Sequence, residues 1–188
     1  MLPKADMPQT VFLTDRRNPR ILPPTPEVDV RLTSFTDYAL RLLIYAAGHS
    51  SGRVTIEEAA TCFEISRGHL KKVAMALSHG GFLASMKGRN GGLALALPAD
   101  QINIADVIMV TEQDFGLFEC FLAGNACRIS RTCRMPNFAN EALEAFMAVM
   151  RKYTLADVLV RPEYFTMPAA PSQPVRGPQF RSSLPGTA

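Results

Sequence analysis

The chain has 188 residues, of which 47% are hydrophobic and 20% are charged, and its formal net charge is +3. A hydrophobic fraction of this size supports a packed core and excludes a chain that is disordered throughout. No apolar stretch approaches the roughly 18 residues that a membrane-spanning helix needs, so we expect no contact with the membrane interior. The mild positive charge is compatible with nucleic acid binding without requiring it.

Proline placement predicts the limits of the folded unit. Six of the 14 prolines precede Val30, six lie from Pro162 onward, and only Pro98 and Pro136 lie between them. Because proline interrupts helix interiors and central strands, we expect the folded unit to span residues 30–161.

The flanking segments, residues 1–29 and 162–188, are predicted to be disordered. The first of them has no apolar run of the kind found in signal peptides, which predicts a cytoplasmic protein. Thiols are normally reduced in that compartment, so the four cysteines indicate metal binding, catalysis or packing before disulfides.

Three helices are predicted in the first half of the folded unit. Apolar residues recur at helical spacing from Thr36, and Gly48 is a plausible stop. A second helix follows Thr55, which can form a capping box with Glu58. A third follows Ser66, a favourable N-cap, after a link of only two residues, and this arrangement is typical of a helix-turn-helix.

Two short apolar runs, residues 82–86 and 93–97, flank a turn that contains Asn90 and Gly91, which predicts a β-hairpin. A helix-turn-helix followed by a hairpin with a basic tip is a winged helix, so residues 30–98 are predicted to bind DNA. A phosphate-binding loop is disfavoured because no helix begins directly after the glycines.

Residues 66–98 contain five Lys or Arg residues and no Asp or Glu. Such side chains bind phosphates, arginine can read guanine in the major groove, and an arginine at the tip of the wing can enter the minor groove. An ordinary solvated basic surface is the alternative. The residues predicted to contact DNA are Arg67, His69, Lys71, Lys72, Lys87, Arg89 and Asn90.

The second half, residues 99–161, is predicted to hold a helix capped by Asn103, a cysteine-bearing loop and a long helix over 137–153. The long helix is predicted either to pack within the chain or to form a dimer. The fold class is therefore mainly α with a small β-hairpin: a winged helix-turn-helix plus a long dimerisation helix. The apolar stripe of the long helix comprises Phe138, Ala142, Phe146, Val149 and Tyr153.

Three cysteines, Cys120, Cys127 and Cys133, lie within 14 residues, and soft thiolates of this kind select zinc or iron–sulfur clusters. Three thiolates leave a four-coordinate site one ligand short, and a carboxylate, a histidine or a partner chain can supply it. Incidental cysteines, or a disulfide with one thiol left over, remain open. Cys62 is predicted to be a small packing residue. No nucleophile–base pattern stands out, so we do not expect an enzyme.

Several segments resemble the IscR/NsrR-type winged-helix regulators, namely residues 31–41, 66–73, 88–93 and 153–159 together with the three cysteines. The resemblance implies a homodimer on a pseudo-palindromic operator, with one [2Fe-2S] or [4Fe-4S] iron–sulfur cluster per subunit held by those cysteines. In nitric-oxide-sensing members the fourth ligand can be an aspartate of the partner's first helix, and Asp37 matches it. No histidine follows Cys133, in contrast to IscR-type members.

The resemblance implies a repressor that releases DNA when nitric oxide reacts with the cluster, in the response to nitrosative stress. An iron- or cluster-status-responsive regulator of the same family is the alternative. From other classes, a zinc-stapled interaction module and a DNA-binding protein with oxidation-sensitive thiols remain open. The first residue of the family falls at Val30, and valine is how an internal GTG start codon reads in translation. Residues 1–29 are therefore expected to be an extension from an upstream mis-start, which intact mass of the native protein would test.

Overall fold

The computed structural model describes residues 32–49, 52–86, 88, 91–121 and 124–166, all within one unit of the chain, Leu32–Ala188. These residues form five α-helices and a two-stranded antiparallel hairpin, which confirms the predicted fold class. None of the helices in the described ranges is long and apolar enough to cross a membrane. The predicted extension, residues 1–29, lies outside the described residues.

The helix-turn-helix module contains the helices α1 (Ser34–Gly48), α2 (Ile56–Phe63) and α3 (Arg67–His79). The predicted capping box is present, because the Thr55 N–H donates to Glu58 Oε2 at 2.7 Å and the Glu58 N–H donates to Thr55 Oγ1 at 3.2 Å. The Thr55 hydroxyl also donates to Glu58 Oε2, at 2.8 Å, and this bond together with the one from the Thr55 N–H holds the pKa of the Glu58 carboxyl below its usual value. Ser66 Oγ likewise accepts a hydrogen bond from the N–H of His69 at 3.3 Å.

The link between α2 and α3 turns sharply at Glu64, which has a φ of +54° and lies in the left-handed region. Its N–H donates to the carbonyl of Ala60, as does the N–H of Ile65 at 3.1 Å. A side chain with a β-carbon is strained in this conformation, whereas glycine is not. The strain is the cost of placing α3 immediately after α2.

Replacing Glu64 by glycine is expected to raise the free energy of unfolding by about 0.5–1 kcal/mol, because the turn strain is relieved while the unfolded chain gains some entropy. Urea unfolding at fixed protein concentration measures the effect. Glu64→Ala keeps the β-carbon and is expected to give no such gain. An equal gain in both variants would show that loss of the charge, and not turn strain, causes the change.

The hairpin consists of β1 (Leu83–Met86) and β2 (Gly92–Leu95), with Leu83 opposite Leu95. Val54, which precedes α2, extends it by one bridge, since its N–H donates to the carbonyl of Leu93 at 2.9 Å and the reverse bond is 2.8 Å. The base of the wing is thus joined to the helix-turn-helix module by backbone hydrogen bonds.

The core is a cluster of buried side chains from α1 to β2 that also reaches into the second half of the chain. Its fully buried members include Leu42 and Leu43 of α1, Leu70 and Leu77 of α3, and Leu155. Because α1 packs against α3, it supports the helix that carries the predicted DNA-contacting residues.

The second half contains α4 (Ile104–Thr111) and α5 (Met135–Met150). Asn103 caps α4 as predicted, its Oδ1 accepting from the N–H of Ala105 at 2.9 Å. The predicted start of α5 at Asn137 was wrong by two residues, and its end at Tyr153 by three. Pro136 lies in the first turn, where its missing N–H needs no partner and its fixed φ suits a helix.

Two apolar stripes run along α5, on different sides of the helix. One stripe packs against α4 within the chain and comprises Leu143, Phe146, Met147 and Met150. The other is exposed at spacings of three and four residues and comprises Met135, Phe138, Ala142, Ala145 and Val149. The helix therefore packs within the chain on one side and leaves a second apolar face uncovered.

The chain beyond α5 folds back onto the helix-turn-helix module in two short 3-10 helices, Leu155–Val158 and Pro162–Phe165. The predicted tail began at residue 162, but the structure packs Phe165 among the rings of Tyr45, His49 and Phe63. A β-carbon on Gly48 would lie 2.5 Å from the ring of Phe165, so the close approach uses the absence of a side chain. Residues 167–188 lie outside the described residues.

Candidate DNA-binding surface and cysteine loop

The exposed side of α3, the predicted DNA-reading helix, carries four of the side chains that are predicted to contact DNA. Leu70, Val73, Ala74 and Leu77 are buried on one side of the helix. On the other side Arg67, His69, Lys71 and Lys72 are exposed. The sequence thus placed these four side chains correctly on the solvent side, and their contact with DNA stays a prediction. Among the predicted wing residues, Lys87, Arg89 and Asn90 lie outside the described residues.

Two contacts of the reading side chains were not predicted. Arg67 Nε bonds to Glu57 Oε2 of α2 at 2.6 Å, and His69 stacks on Tyr38 of α1 with ring centroids 6.4 Å apart. A Glu in the first turn of one helix and an Arg at the start of the next are visible in the sequence. Their pairing depends on the angle between two helices, which residue spacing alone does not give.

The three predicted metal ligands lie between α4 and α5. Cys120 is in a 3-10 helix, Glu119–Phe121, Cys127 lies in an irregular loop, and Cys133 lies two residues before the start of α5. All three are free thiols, and Cys127 is exposed. The described hydrogen bonds of the loop are local, such as the Cys127 N–H to Asn125 Oδ1 at 2.9 Å and the Cys133 N–H to the carbonyl of Ile129 at 2.8 Å.

Asp37, the predicted fourth ligand, lies in the first turn of α1 with its side chain 48% exposed. It forms a bidentate ion pair with Arg41, with contacts of 2.8 and 3.1 Å. Within the described part of the chain, no three Cys, His, Asp or Glu side chains come together as a metal site. The structure of a single chain therefore does not assemble the predicted ligand set.

The donor chemistry of the loop nevertheless fits an iron–sulfur cluster. Three unpaired thiols on one short segment are the soft ligands that such clusters take, and none is consumed in a disulfide. The described hydrogen bonds of the loop join residues close in sequence and leave these thiols available to such a cluster. Cys120, Cys127 and Cys133 are the residues that would hold it.

Cys62, the fourth cysteine, is separate from this loop. It is half-buried in α2 and packs against the core, as predicted, and its Sγ donates to the carbonyl of Phe165 at 3.6 Å. Burial raises the pKa of the Cys62 thiol, which keeps it protonated and a poor metal ligand.

A helix-turn-helix with a basic reading helix, α3, and a two-stranded wing defines a winged-helix DNA-binding regulator. Residues 32–161 match the family Rrf2, described as "Iron-dependent Transcriptional regulator". The chain belongs to this family of transcriptional regulators. The resemblance to IscR/NsrR-type regulators and the expectation of a non-enzymatic protein are thereby confirmed.

Relatives in several bacteria carry the name HTH-type transcriptional regulator NsrR. The one from Bacillus subtilis (strain 168) is 41% identical over 136 residues, which cover 71% of this chain and 93% of the relative. The one from Oceanobacillus iheyensis is 42% identical over 136 residues, covering 71% and 92%.

Among solved structures, the global cysteine regulator CymR of B. subtilis has a TM-score of 0.51 at 20% identity and covers 72% of this chain and 98% of its own. T. potens IscR has a TM-score of 0.55 at 20% identity, covering 68% and 85%. At this level of identity these two structures support the fold alone.

Proposed function

We propose that the protein is a homodimeric repressor that senses nitric oxide through an iron–sulfur cluster and releases its operator when the cluster is nitrosylated. The ligands are Cys120, Cys127 and Cys133 of one chain and Asp37 of the partner subunit. The observation that carries the proposal is the set of three free thiols on one loop, in a chain about 40% identical to regulators named NsrR. When bound, the cluster supplies iron atoms with which nitric oxide reacts.

The uncovered face of α5 supports the dimer. Met135, Phe138, Ala142, Ala145 and Val149 repeat at the three- and four-residue spacing of a helix–helix seam, and Phe138 is 52% exposed. A second copy of the same stripe would cover these side chains. Two reading helices held by such a seam can engage half-sites about 34–36 Å apart, so a small change in their spacing weakens binding.

The turn of α1 that carries Asp37 is tied to the start of the cysteine-bearing segment. The N–H of Thr33 donates to Glu112 Oε1 at 2.8 Å, and Thr36 and Thr111 share a buried hydroxyl contact of 2.8 Å. The hydroxyl of Thr111 also donates to the carbonyl of Val107, so Thr36 is the donor to Thr111. Because α1 packs against α3, movement of the Asp37 turn reaches the reading helix.

The proposal is tested on full-length protein purified without oxygen. We expect iron and acid-labile sulfide in the protein, a gel shift with operator DNA, and loss of that shift as nitric oxide is titrated to full nitrosylation. Unchanged DNA binding at full nitrosylation would contradict nitric oxide sensing. Zinc without sulfide would instead support the structural zinc module.

A second candidate, a regulator that responds to iron or cluster status, is favoured by the family description as iron-dependent. Removing iron with a chelator, without nitric oxide, separates the two. Release of the operator on iron removal combined with no response to nitric oxide would support the second candidate over the first.

Substituting Asp37 by alanine is expected to change the visible absorbance of the cluster or to speed its loss in oxygen, because a carboxylate ligand is replaced by solvent or left vacant. The fold should tolerate the change, since the Asp37–Arg41 pair is exposed and such pairs contribute little to stability. Arg41→Ala is the matched control, because it breaks the same ion pair without removing a ligand. Identical spectra for wild type and the Asp37 variant would contradict the partner-subunit ligand.

A further inference from the structure

The contact between Glu57 and Arg67 joins α2 to the first residue of the reading helix, and both side chains are well exposed, at 59% and 63% respectively. Exposed ion pairs add little to stability, so stabilising the fold is a weak explanation for this contact. We propose that Glu57 positions Arg67 to read guanine in the major groove and is therefore a specificity-determining residue. The inference rests on the proposed DNA-binding function and names the base that this side chain recognises.

The atoms used in the contact support this role. The guanidinium is planar and carries five N–H donors in a fixed geometry. Glu57 Oε2 bonds to Nε at 2.6 Å, and the described residues contain no partner for the two terminal nitrogens of Arg67. Those two nitrogens form the fork that matches the O6 and N7 acceptors of guanine.

Both ends of the contact are held by well-defined backbone. Glu57 lies in the first turn of α2, which the capping box of Thr55 and Glu58 fixes, and Arg67 directly follows the N-cap Ser66. A free arginine must give up much rotamer freedom on binding a base. An arginine already held at Nε has less freedom to lose, so its terminal nitrogens bind with better geometry and at lower entropic cost.

The charge balance of the surface also favours base reading by Arg67 over phosphate binding. Pairing with Glu57 neutralises the local charge and weakens attraction to phosphates, which lack sequence information. Lys71 and Lys72 on the same helix have no ion pair within the described residues and are exposed. These lysines are left to bind phosphates while Arg67 discriminates between bases.

The test is selection of bound sequences from randomised duplex DNA by full-length protein purified anaerobically, as wild type and as the E57A, R67A and E57A/R67A variants. We expect wild type to require guanine at one position of each half-site by about tenfold or more. R67A should lose that preference, and E57A should lose most of it. The double variant should show the same remaining preference for guanine as R67A, because the two residues act together. K72A is the control and should weaken binding to all sequences alike.

Thermal unfolding of each variant is the control for folding, and we expect these exposed substitutions to leave the unfolding temperature nearly unchanged. Full guanine preference in E57A, or additive effects of the two substitutions, would overturn the positioning role. A uniform loss of affinity in R67A, with the salt dependence reduced by about one phosphate, would show that Arg67 binds the backbone instead. If wild type enriches no sequence, the proposed DNA-binding function itself fails, whereas a failed nitric oxide response leaves the guanine test intact.

Discussion

Replacing Cys133 by serine is expected to remove iron and acid-labile sulfide from the purified protein and to abolish the response of DNA binding to nitric oxide. A serine hydroxyl is a harder ligand than a thiolate and stays protonated near neutral pH, so it does not replace sulfur as a cluster ligand. The fold should be preserved, because the Cys133 N–H still donates to the carbonyl of Ile129 ahead of α5. Serine at Cys120 or Cys127 should have the same effect.

Cys62→Ser is the matched control for this loss. Cys62 packs against the core away from the loop and donates to the carbonyl of Phe165, a bond that a serine hydroxyl can also make. We expect normal iron and sulfide content and at most about 1 kcal/mol of lost stability. Equal loss of iron in the Cys62 and Cys133 variants would contradict the assignment of the three loop cysteines, as would full iron content in any of the three loop variants.

The local parts of the fold were predictable because their signals lie within a few residues of each other. The Thr55–Glu58 box, the Ser66 cap and the buried stripe of α3 each depend on spacings of three or four residues along one helix. The cap of α4 is equally local, since Asn103 accepts a hydrogen bond from the N–H of Ala105, two residues further along the chain. The predicted start of α5 lies two residues too late, after Pro136, because proline interrupts helix interiors; in the first turn, where Pro136 lies, its missing N–H needs no partner.

Contacts between distant residues were not predictable from such signals. Phe165 lies three residues after Pro162, in a segment predicted to be disordered. It nevertheless packs against the rings of Tyr45 and Phe63, which come together only once α1 and α2 have packed. The pairing of Glu57 with Arg67 likewise requires the angle between two helices. The cysteine loop illustrates the limit most clearly, since its residues are adjacent in sequence but the proposed ligand set needs a bound group and a second chain.

Truncating Leu70 to alanine is expected to cost about 2–5 kcal/mol of the free energy of unfolding, the range for a fully buried leucine that leaves a cavity. Leu70 is 0% exposed and belongs to the same buried cluster as Leu42 and Leu43 of α1. The loss is large relative to the 5–15 kcal/mol that holds a typical domain together. Urea unfolding at one fixed protein concentration measures it, since the stability of a dimer depends on concentration.

Met75→Ala on the same helix provides the comparison, because Met75 is 61% exposed and its truncation should change stability by no more than about 0.5 kcal/mol. Comparing Leu70→Ala with Met75→Ala separates the structural support of α3 from its recognition of DNA bases. In Leu70→Ala the guanine preference should persist in the molecules that remain folded, while total binding falls with the folded fraction. A Leu70 variant as stable as the Met75 variant would contradict the packing of α3 against α1, and with it the route by which movement at Asp37 reaches Arg67.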